Sequence, residues 1–295
     1  MALLALIVVT AVWGVTFVQV KDALDLYPLY AFLALRFAIA AAALAPFAVR
    51  RLRASDVGIS AGLGLLVAAG YALQTEGLAR TTVSSTGFIT GLYVVLTPLF
   101  GLLLFRTRVG LEVWCGVVLA VIGLALLSGV DAGSTSGDLL VLASAAAQAL
   151  QIVMVERYAS RYDAIALVLV EMGACFVGFL AIALALGELE VPHGRTVWGA
   201  LLVTGVFASA LAYLIQVWAQ RRISAARIAI VFSLETVFAG LFGYWLADDR
   251  LGVLGWSGCA VILAGIAVAE PTAGALLRRW SPETRSTTTR DNRHK

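Results

Sequence analysis

Three ionisable side chains lie within long apolar stretches of the sequence: Arg36, Glu171 and Glu235. An ionisable group at the centre of a membrane-spanning helix costs roughly 2.5–3.5 kcal/mol on insertion scales, and such groups usually mark a pathway or a partner. A carboxylate in a site that excludes water binds a proton more readily than one in solvent. Glu235 is therefore our candidate coupling group, and the alternative is a structural carboxylate satisfied by neighbouring hydroxyls.

Arg36 and Glu171 fall at similar depths within their apolar stretches, the second and the seventh along the chain. Intramembrane charges usually pair with one another or with backbone carbonyls. We hypothesise that Arg36 and Glu171 pair, or share one polar network, so that a swap of the two charges would restore part of what each single change loses. The alternative is that each charge is satisfied independently by carbonyls or water.

Uncharged polar residues recur at helical spacing. Tyr71-x-x-Gln74 returns as Tyr213-x-x-Gln216, and a spacing of three residues places each tyrosine and glutamine on one helix face. Such faces would line a cavity with donors and acceptors, or would hydrogen-bond between helices at about 0.6 kcal/mol per bond. The remaining candidates for substrate contact are Trp13, Thr16, Thr90, Tyr93, Gln148 and Gln151.

Pro98 lies in the middle of the fourth apolar stretch. It removes a backbone hydrogen bond, so we predict a helix kink there, and Gly240 is its counterpart in the ninth stretch. Kinked helices at equivalent places in two halves of a membrane protein point to a binding site.

Several catalytic motifs are absent from the sequence. Lys21 and Lys295 are the only lysines, and neither lies in a Gly-Lys-Ser/Thr loop, which excludes an ATPase of the P-loop kind. No His-Glu-x-x-His or Gly-x-Ser-x-Gly pattern occurs, the two histidines are too few for a zinc site, and the three cysteines lie in apolar stretches. We therefore expect no metal, no cofactor, no enzymatic activity and no nucleic-acid partner.

The composition places these residues in a membrane. Hydrophobic residues make up 61% of the chain and charged residues only 13%, whereas a soluble domain is about a quarter charged. A spanning helix needs about 20 apolar residues. Ten stretches qualify, which predicts an all-α integral membrane protein of ten transmembrane helices. They are roughly 2–20, 29–49, 57–78, 84–105, 111–129, 137–156, 163–186, 196–219, 226–247 and 251–270.

Basic residues alternate between the predicted faces. The loops after the second, fourth, sixth and eighth helices, together with the C-terminal tail, hold 16 lysines and arginines, and the other loops hold four. Basic loops stay in the cytoplasm. We therefore expect both termini to be cytoplasmic in a protein of the cell (inner) membrane.

The chain repeats itself at one constant interval. Residues 71–125 align without a gap on residues 213–267, an offset of 142 positions, with 15 of 55 positions identical. Five helices separate the copies, an odd number, so the second copy must be inverted in the membrane. We predict repeats at 1–130 and 131–272 and a basic, disordered cytoplasmic tail at 273–295. Inverted repeats are typical of secondary transporters with alternating access.

The chain resembles the drug/metabolite transporter superfamily, in particular its EamA-type ten-helix members. The resemblance rests on Trp13-Gly14, Leu35-Arg36-Phe37, the GLYVVLTPLFG run at 91–101, Gly137-Asp138-Leu139 and Ser233-Leu234-Glu235. The family usually has proline after this glutamate, whereas this chain has Thr236. The resemblance implies export or exchange of small metabolites, such as amino acids or drug-like solutes, through a central cavity.

We therefore expect a secondary active transporter of a small organic solute. Protons or a counter-substrate are the candidate coupling partners, and the protein would act as a monomer or homodimer in the lipid bilayer. The alternatives are a passive facilitator or channel and, with less support, a membrane-embedded enzyme.

Overall fold

The computed structural model describes residues 1–78, 80–81, 83–128, 135–246 and 252–269, and the regular elements within these ranges are all helical. The first half contains α1 (Ala2–Leu24), α2 (Leu29–Ala48), a 3₁₀ turn (Val49–Arg51), α3 (Ala54–Leu78), α4 (Val83–Gly91), α5 (Tyr93–Phe105) and α6 (Leu111–Ser128). The second half contains α7 (Thr135–Tyr158), α8 (Ala164–Leu186), α9 (Gly194–Leu202), a π-helical segment (Val203–Leu211), α10 (Ala212–Gln220), α11 (Ala225–Phe232), α12 (Leu234–Leu246) and α13 (Val253–Ala269). The predicted repeat boundary, Arg250 and the tail lie outside the described residues.

The all-α membrane architecture is confirmed. Seven of the helical stretches that the structure describes are long and apolar enough to cross a membrane, and three more are apolar but shorter. The three shorter ones are Ala2–Thr16, Leu111–Leu127 and Val253–Ala269. These ten stretches follow the order of the predicted spans, and the count of ten crossings stays a prediction.

The helices of the two halves pack against one another and do not form two separate bundles. α2 packs on α8 and α6 packs on α13, and each of these pairs joins two helices that correspond in the repeat. α3 packs on α7, and its counterpart, formed by α9, the π segment and α10, packs on α1 in the reciprocal manner. Reciprocal contacts of this kind are the signature of a twofold relation between two copies. Accordingly, both hydrophobic cores draw on residues from both halves.

The direction of the α6–α13 pair follows from four glycines of the repeat. A Cβ atom on Gly123 would lie 2.7 Å from the Gly258 carbonyl oxygen, and one on Gly116 would lie 2.8 Å from that of Gly265. The earlier glycine of α6 therefore meets the later glycine of α13, so the two helices run antiparallel. Because α6 and α13 are counterparts, antiparallel packing is what an inverted second half requires.

Small residues do not mark close packing everywhere. Gly58 and Gly62 form a small-xxx-small pattern, which typically indicates a helix contact, but a Cβ on either would meet nothing within 4 Å. Gly58 and Gly62 therefore mark no close helix contact among the described residues. Gly91, by contrast, lies directly against Leu124 of α6.

The close glycine contacts between α6 and α13 leave no room for a larger side chain. Gly258→Ala would bring a methyl group to 2.6 Å from the Gly123 carbonyl oxygen, so the helices would have to separate. Forced overpacking typically costs about 1–3 kcal/mol. We expect a lower melting temperature in detergent for Gly258→Ala, with no such loss for the control Gly62→Ala, which fills open space. Equal melting temperatures for both variants would contradict the close crossing.

The connections gather at two opposite faces. At one face Arg51 pairs with Asp163 at 3.4 Å, and Arg221 donates to the carbonyl oxygens of Ala159 and Tyr162 at 2.9 and 2.7 Å. These residues belong to the connections α2–α3, α7–α8 and α10–α11. We call this the arginine-rich face; it contains the loops predicted to be cytoplasmic.

The opposite face collects acidic side chains. The Tyr30 hydroxyl donates to Glu76 Oε1 at 2.8 Å, and the Glu188 carboxylate accepts from the Tyr30 backbone N–H at 3.2 Å. Tyr27 donates to the Glu190 carbonyl oxygen at 2.5 Å. The α1–α2 and α8–α9 connections and the end of α3 therefore meet at this face.

Candidate functional site

Two spans are interrupted at equivalent places. α4 ends at Gly91 and α5 begins at Tyr93, while α11 ends at Phe232 and α12 begins at Leu234. With the repeat offset of 142, the interruptions at Leu92 and Ser233 differ by one residue. At both, the backbone bonds three residues back, from Leu92 N to Ile89 O at 3.1 Å and from Ser233 N to Ile230 O at 3.2 Å. The Ser233 hydroxyl also donates to the Ile230 carbonyl oxygen at 2.6 Å, so it competes with the backbone bond of the regular helix.

Each interruption places the N-terminus of a helix inside the protein, and a candidate site residue lies in the first turn of each of these helices. Tyr93 is the first residue of α5 and is buried, and Glu235 is the second residue of α12 and is half-buried. A carboxylate in the first turn of a helix is stabilised by the helix dipole.

Pro98 does not itself lie at the helix interruption. It lies within α5, six residues after Leu92, and lines a cavity of about 260 Å³ between α5, α6, α7 and α11. The counterpart interruption at Ser233 forms although Thr236 replaces the proline that the family usually has. Local hydrogen bonding therefore accompanies both breaks without a proline at either position.

Arg36 of α2 is buried and satisfied from two sides. Its Nε donates to Ser209 Oγ at 2.8 Å, and its Nη2 donates to the Tyr71 hydroxyl at 3.1 Å. The guanidinium also lies over the Tyr71 and Phe37 rings, 5.0 and 5.5 Å from their centroids. Hydroxyl acceptors and aromatic faces thus replace the water that the charge would otherwise need.

Glu171 of α8 is fully buried and ends a chain of side-chain amides. Gln151 donates to Glu171 Oε1 at 2.7 Å, and Gln216 donates to Gln151 Oε1 at 3.0 Å and to Gln220 Oε1 at 3.2 Å. Gln220 in turn donates to the Ile152 carbonyl oxygen at 2.6 Å. The other carboxylate oxygen, Oε2, has no hydrogen-bond partner among the described residues.

These two environments correct the hypothesis of a direct Arg36–Glu171 pair, because each charge has its own partners. The ion pairs within 4.0 Å among the described residues are Arg51–Asp163, Arg80–Glu76 and Arg227–Glu112. Both Arg36 and Glu171 nevertheless contribute to the electrostatic environment of the Tyr213 hydroxyl. A shared network through Tyr213 therefore stays a proposal.

Arg36 and Glu171 do occupy equivalent positions in the packing. A Cβ on Gly64 of α3 would meet the Glu171 carbonyl oxygen, and a Cβ on Gly205 of the π segment would lie 3.0 Å from the Arg36 carbonyl oxygen. Each charged residue thus lies where its helix touches a glycine in the third span of the opposite half.

The π segment accommodates one extra residue in the second half. Gly64 precedes Tyr71 by seven residues, whereas Gly205 precedes Tyr213 by eight. The wider turn of a π-helix absorbs an additional residue while the flanking helix faces keep their directions, and such segments are frequent at functional sites. Ser209, the acceptor for Arg36, lies in this segment.

Trp13 of α1 also contacts the π segment. Its indole Nε1 donates to the Ala208 carbonyl oxygen at 2.7 Å, and its ring lies 5.0 Å from Phe232 and 6.2 Å from Tyr213. Trp13 packs against both hydrophobic cores, which places it between the two cores. Thr16, one turn later, donates to the Trp13 carbonyl oxygen at 2.8 Å.

The remaining candidates make hydrogen bonds to neighbouring side chains. Gln74 of α3 donates to Thr90 Oγ1 of α4 at 3.1 Å, directly before the α4–α5 interruption. Gln148 donates to Ser144 Oγ at 3.1 Å, and Ser144 donates across to the Gly70 carbonyl oxygen at 2.7 Å. Tyr71 and Gln74 therefore have different partners, although they share one helix face.

Three residues that complete these networks were not among the candidates predicted from the sequence: Ser144, Ser209 and Gln220. Gln220 follows Gln216 by four residues, a spacing that places both amides on one helix face and could have identified it. Ser209 carried no such signal, because its position against Arg36 depends on the π segment.

The described residues hold no group of three or more His, Cys, Asp or Glu side chains that could bind a metal ion. Cys115, Cys175 and Cys259 are free thiols. The site is therefore built from amides, hydroxyls, aromatic rings and three charges.

Comparison with known proteins identifies the architecture. The sequence profile of the EamA-like transporter family matches this chain twice, over residues 1–129 and 135–269. The chain belongs to the EamA-like transporter family. This EamA-like protein is therefore a multi-pass membrane transporter of a small-molecule substrate, as the resemblance predicted.

Relatives of this EamA-like chain are named as transporters in archaea and bacteria. An uncharacterized transporter of Archaeoglobus fulgidus is 33% identical over 266 residues, covering 90% of this chain and 84% of the relative. The uncharacterized transporter YcxC of Bacillus subtilis is 26% identical over 284 residues, covering 90% and 91%. A chloroplastic WAT1-related protein of Arabidopsis thaliana is 27% identical over 86% of this chain and 66% of its own.

A solved crystal structure has the same fold. It superposes with a TM-score of 0.77 at 20% sequence identity and covers 93% of this chain and 98% of its own. At that identity the likeness concerns the fold of the EamA-like chain alone.

Proposed function

We propose that this transporter is secondary active and moves a small organic solute by alternating access, as an exporter or exchanger. The observation that supports this most strongly is the pair of interrupted spans, α4–α5 and α11–α12, broken at equivalent places in the two halves. Secondary transporters with inverted repeats bind substrate where such discontinuous helices meet near the midplane.

The proposed substrate contacts are the polar and aromatic side chains around these interruptions. Tyr93 and Glu235 lie in the first turns of α5 and α12. Thr90 lies one turn before Tyr93 and accepts from Gln74 of α3, and Trp13 packs against both cores. The amide chain from Gln151 to Gln220 and the Tyr71–Arg36 contact belong to the walls that would rearrange between states. Thr16, Gln148, Tyr213 and Gln216 complete the proposed set.

Glu235 is the proposed coupling group. Among the described residues, no basic side chain lies within 4.0 Å of its carboxylate, although it lies half-buried in a span. A carboxylate in that position can bind a proton when the protein opens to one face. When the protein opens to the other face, it can release the proton and bind the substrate in its place. Proton–solute exchange would expel the solute toward the more acidic side, which is the outside of a respiring cell.

We also propose an orientation of the transporter in the membrane and an arrangement of its two repeats. Both termini would lie in the cytoplasm, because the arginine-rich face holds most of the basic loop residues. The units 1–130 and 131–272 would rock against each other within one monomer or within each subunit of a homodimer.

The test is accumulation by proteoliposomes that are more acidic inside than outside, supplied with a panel of amino acids and related metabolites. A gradient of one pH unit is worth about 1.4 kcal/mol per proton, which can hold about a tenfold concentration ratio. We expect one or more solutes to accumulate inside and to leave when an ionophore collapses the gradient. Flux that only equalises the two concentrations, with or without a gradient, would instead identify a passive facilitator.

A further inference from the structure

Four arginines converge on one cavity at the arginine-rich face. Arg50, Arg51 and Arg53 come from the α2–α3 connection, and Arg161 comes from the turn between α7 and α8. The cavity has a volume of about 460 Å³ and lies outside the substrate pathway proposed above. Because its walls come from both halves of the chain, a ligand bound there would join them.

The two carboxylates in this cavity are already engaged. Asp163 caps α8 by accepting from the backbone N–H groups of Ile165 and Ala166 at 3.0 and 3.1 Å, and its other oxygen pairs with Arg51 at 3.4 Å. Asp56 is buried and accepts from the Ser55 hydroxyl at 2.8 Å.

Three of the arginines therefore remain without a carboxylate. Within the described ranges, no acidic side chain lies within 4.0 Å of Arg50, Arg53 or Arg161. The cavity has a surplus of positive charge, and guanidinium groups bind phosphate in a bidentate manner. The chemistry of the cavity thus matches a phosphate-bearing anion.

The rim of the cavity is apolar and exposed. Leu52 lines it and is 37% exposed, and Phe47, Val49 and Val57 on the flanking turns are 65%, 62% and 41% exposed. Exposed apolar side chains at the end of a membrane span face lipid chains. A phosphate beside such a rim belongs to an amphiphile, and basic pockets between membrane helices are known to hold anionic lipid headgroups.

We propose that this arginine cavity binds the phosphate headgroup of an anionic phospholipid, with the acyl chains against Phe47, Leu52 and Val57. The bound lipid bridges the α2–α3 connection and the α7–α8 turn, alongside the Arg51–Asp163 pair. This site lies outside the proposed substrate contacts, so lipid binding to it can be measured without a substrate.

The experiment uses the purified full-length protein in nanodiscs of phosphatidylcholine alone or of an equimolar mixture with phosphatidylglycerol. Native mass spectrometry counts retained phosphatidylglycerol, and thermal unfolding gives its stabilising effect. We expect Arg53→Gln combined with Arg161→Gln to weaken phosphatidylglycerol binding by about tenfold or more, since each basic residue near an anionic lipid contributes substantially to binding. Arg161→Gln alone should show a smaller loss of phosphatidylglycerol binding. Because Arg161 lies in an exposed turn, this single variant can still be measured if the double variant misfolds.

The matched control is Arg157→Gln combined with Arg222→Gln. These two arginines lie at the same face, are exposed, and stack on Phe105 and Trp218 outside the cavity. An equal loss of lipid in this control would overturn the proposal in favour of general surface attraction. Glycerol 3-phosphate added to phosphatidylcholine nanodiscs separates the two sources of phosphate, and stabilisation by it as large as that by phosphatidylglycerol would overturn the lipid assignment.

Discussion

Replacing Glu235 by glutamine is expected to abolish accumulation driven by a pH gradient. Glutamine has nearly the same shape as glutamate but cannot bind or release a proton, so substrate movement loses its link to proton movement. With a gradient of one pH unit, the tenfold ratio expected for the wild type should fall to about one, a loss of about 1.4 kcal/mol of stored driving force. Accumulation in acid-inside proteoliposomes measures this directly.

Binding and coupling can be separated in the same variant. If Glu235 only couples, Glu235→Gln should still exchange labelled solute for unlabelled solute across the membrane without a gradient. The control is Glu190→Gln, an exposed side chain near the α8–α9 connection whose backbone carbonyl, not its carboxylate, accepts from Tyr27. Full gradient-driven accumulation by Glu235→Gln would assign Glu235 a structural role.

Changes at Glu171 are expected to alter stability with opposite outcomes for two substitutions. Glu171→Leu removes the acceptor at the end of the amide chain and leaves the buried Gln151 N–H unpaired. An unsatisfied buried donor costs about 1–3 kcal/mol, so the melting temperature should fall. Glu171→Gln keeps an acceptor for Gln151 and removes a buried charge whose Oε2 lacks a partner, so its stability should match or exceed the wild type.

Thermal unfolding in detergent at neutral pH distinguishes these outcomes, and Gln220→Leu is the matched control at the far end of the same chain. Gln220 donates to the Ile152 carbonyl oxygen and accepts from Gln216, so its replacement breaks two buried hydrogen bonds of the chain but leaves the Glu171 acceptor in place. A Glu171→Leu variant as stable as the wild type would mean that the amide chain contributes little. Gradient-driven uptake by Glu171→Gln then tells whether Glu171, like Glu235, takes part in coupling.

The structure also changes the expectation for swapping Arg36 and Glu171. Arg36 lies among hydroxyl acceptors and aromatic rings, whereas Glu171 faces an amide donor. A carboxylate at position 36 would face the aromatic rings of Phe37 and Tyr71, and an arginine at position 171 would face the N–H group of Gln151. The charge swap that a direct pair would tolerate is therefore no longer expected to restore function.

Much of the architecture follows from one-dimensional properties of the chain. The lengths of the apolar stretches and the lack of charge within them determine that the chain is helical and membrane-embedded. The constant offset of the repeat and the alternation of basic loops predict an inverted second half, and the antiparallel contacts Gly116–Gly265 and Gly123–Gly258 agree with it. The equivalent depths of Tyr93 and Glu235 within their helical spans also follow from that offset.

Only the tertiary structure decided how the polar side chains are shared. The sequence predicts equivalent depths for Arg36 and Glu171. The packing of the helices gives them different partners: Arg36 donates to Ser209 and Tyr71, whereas Glu171 accepts from Gln151. The π segment likewise depends on where one extra residue can be absorbed between α9 and α10. The apolar periodicity of the sequence does not predict these partners, because they depend on distances and hydrogen bonds between helices that are far apart in the chain.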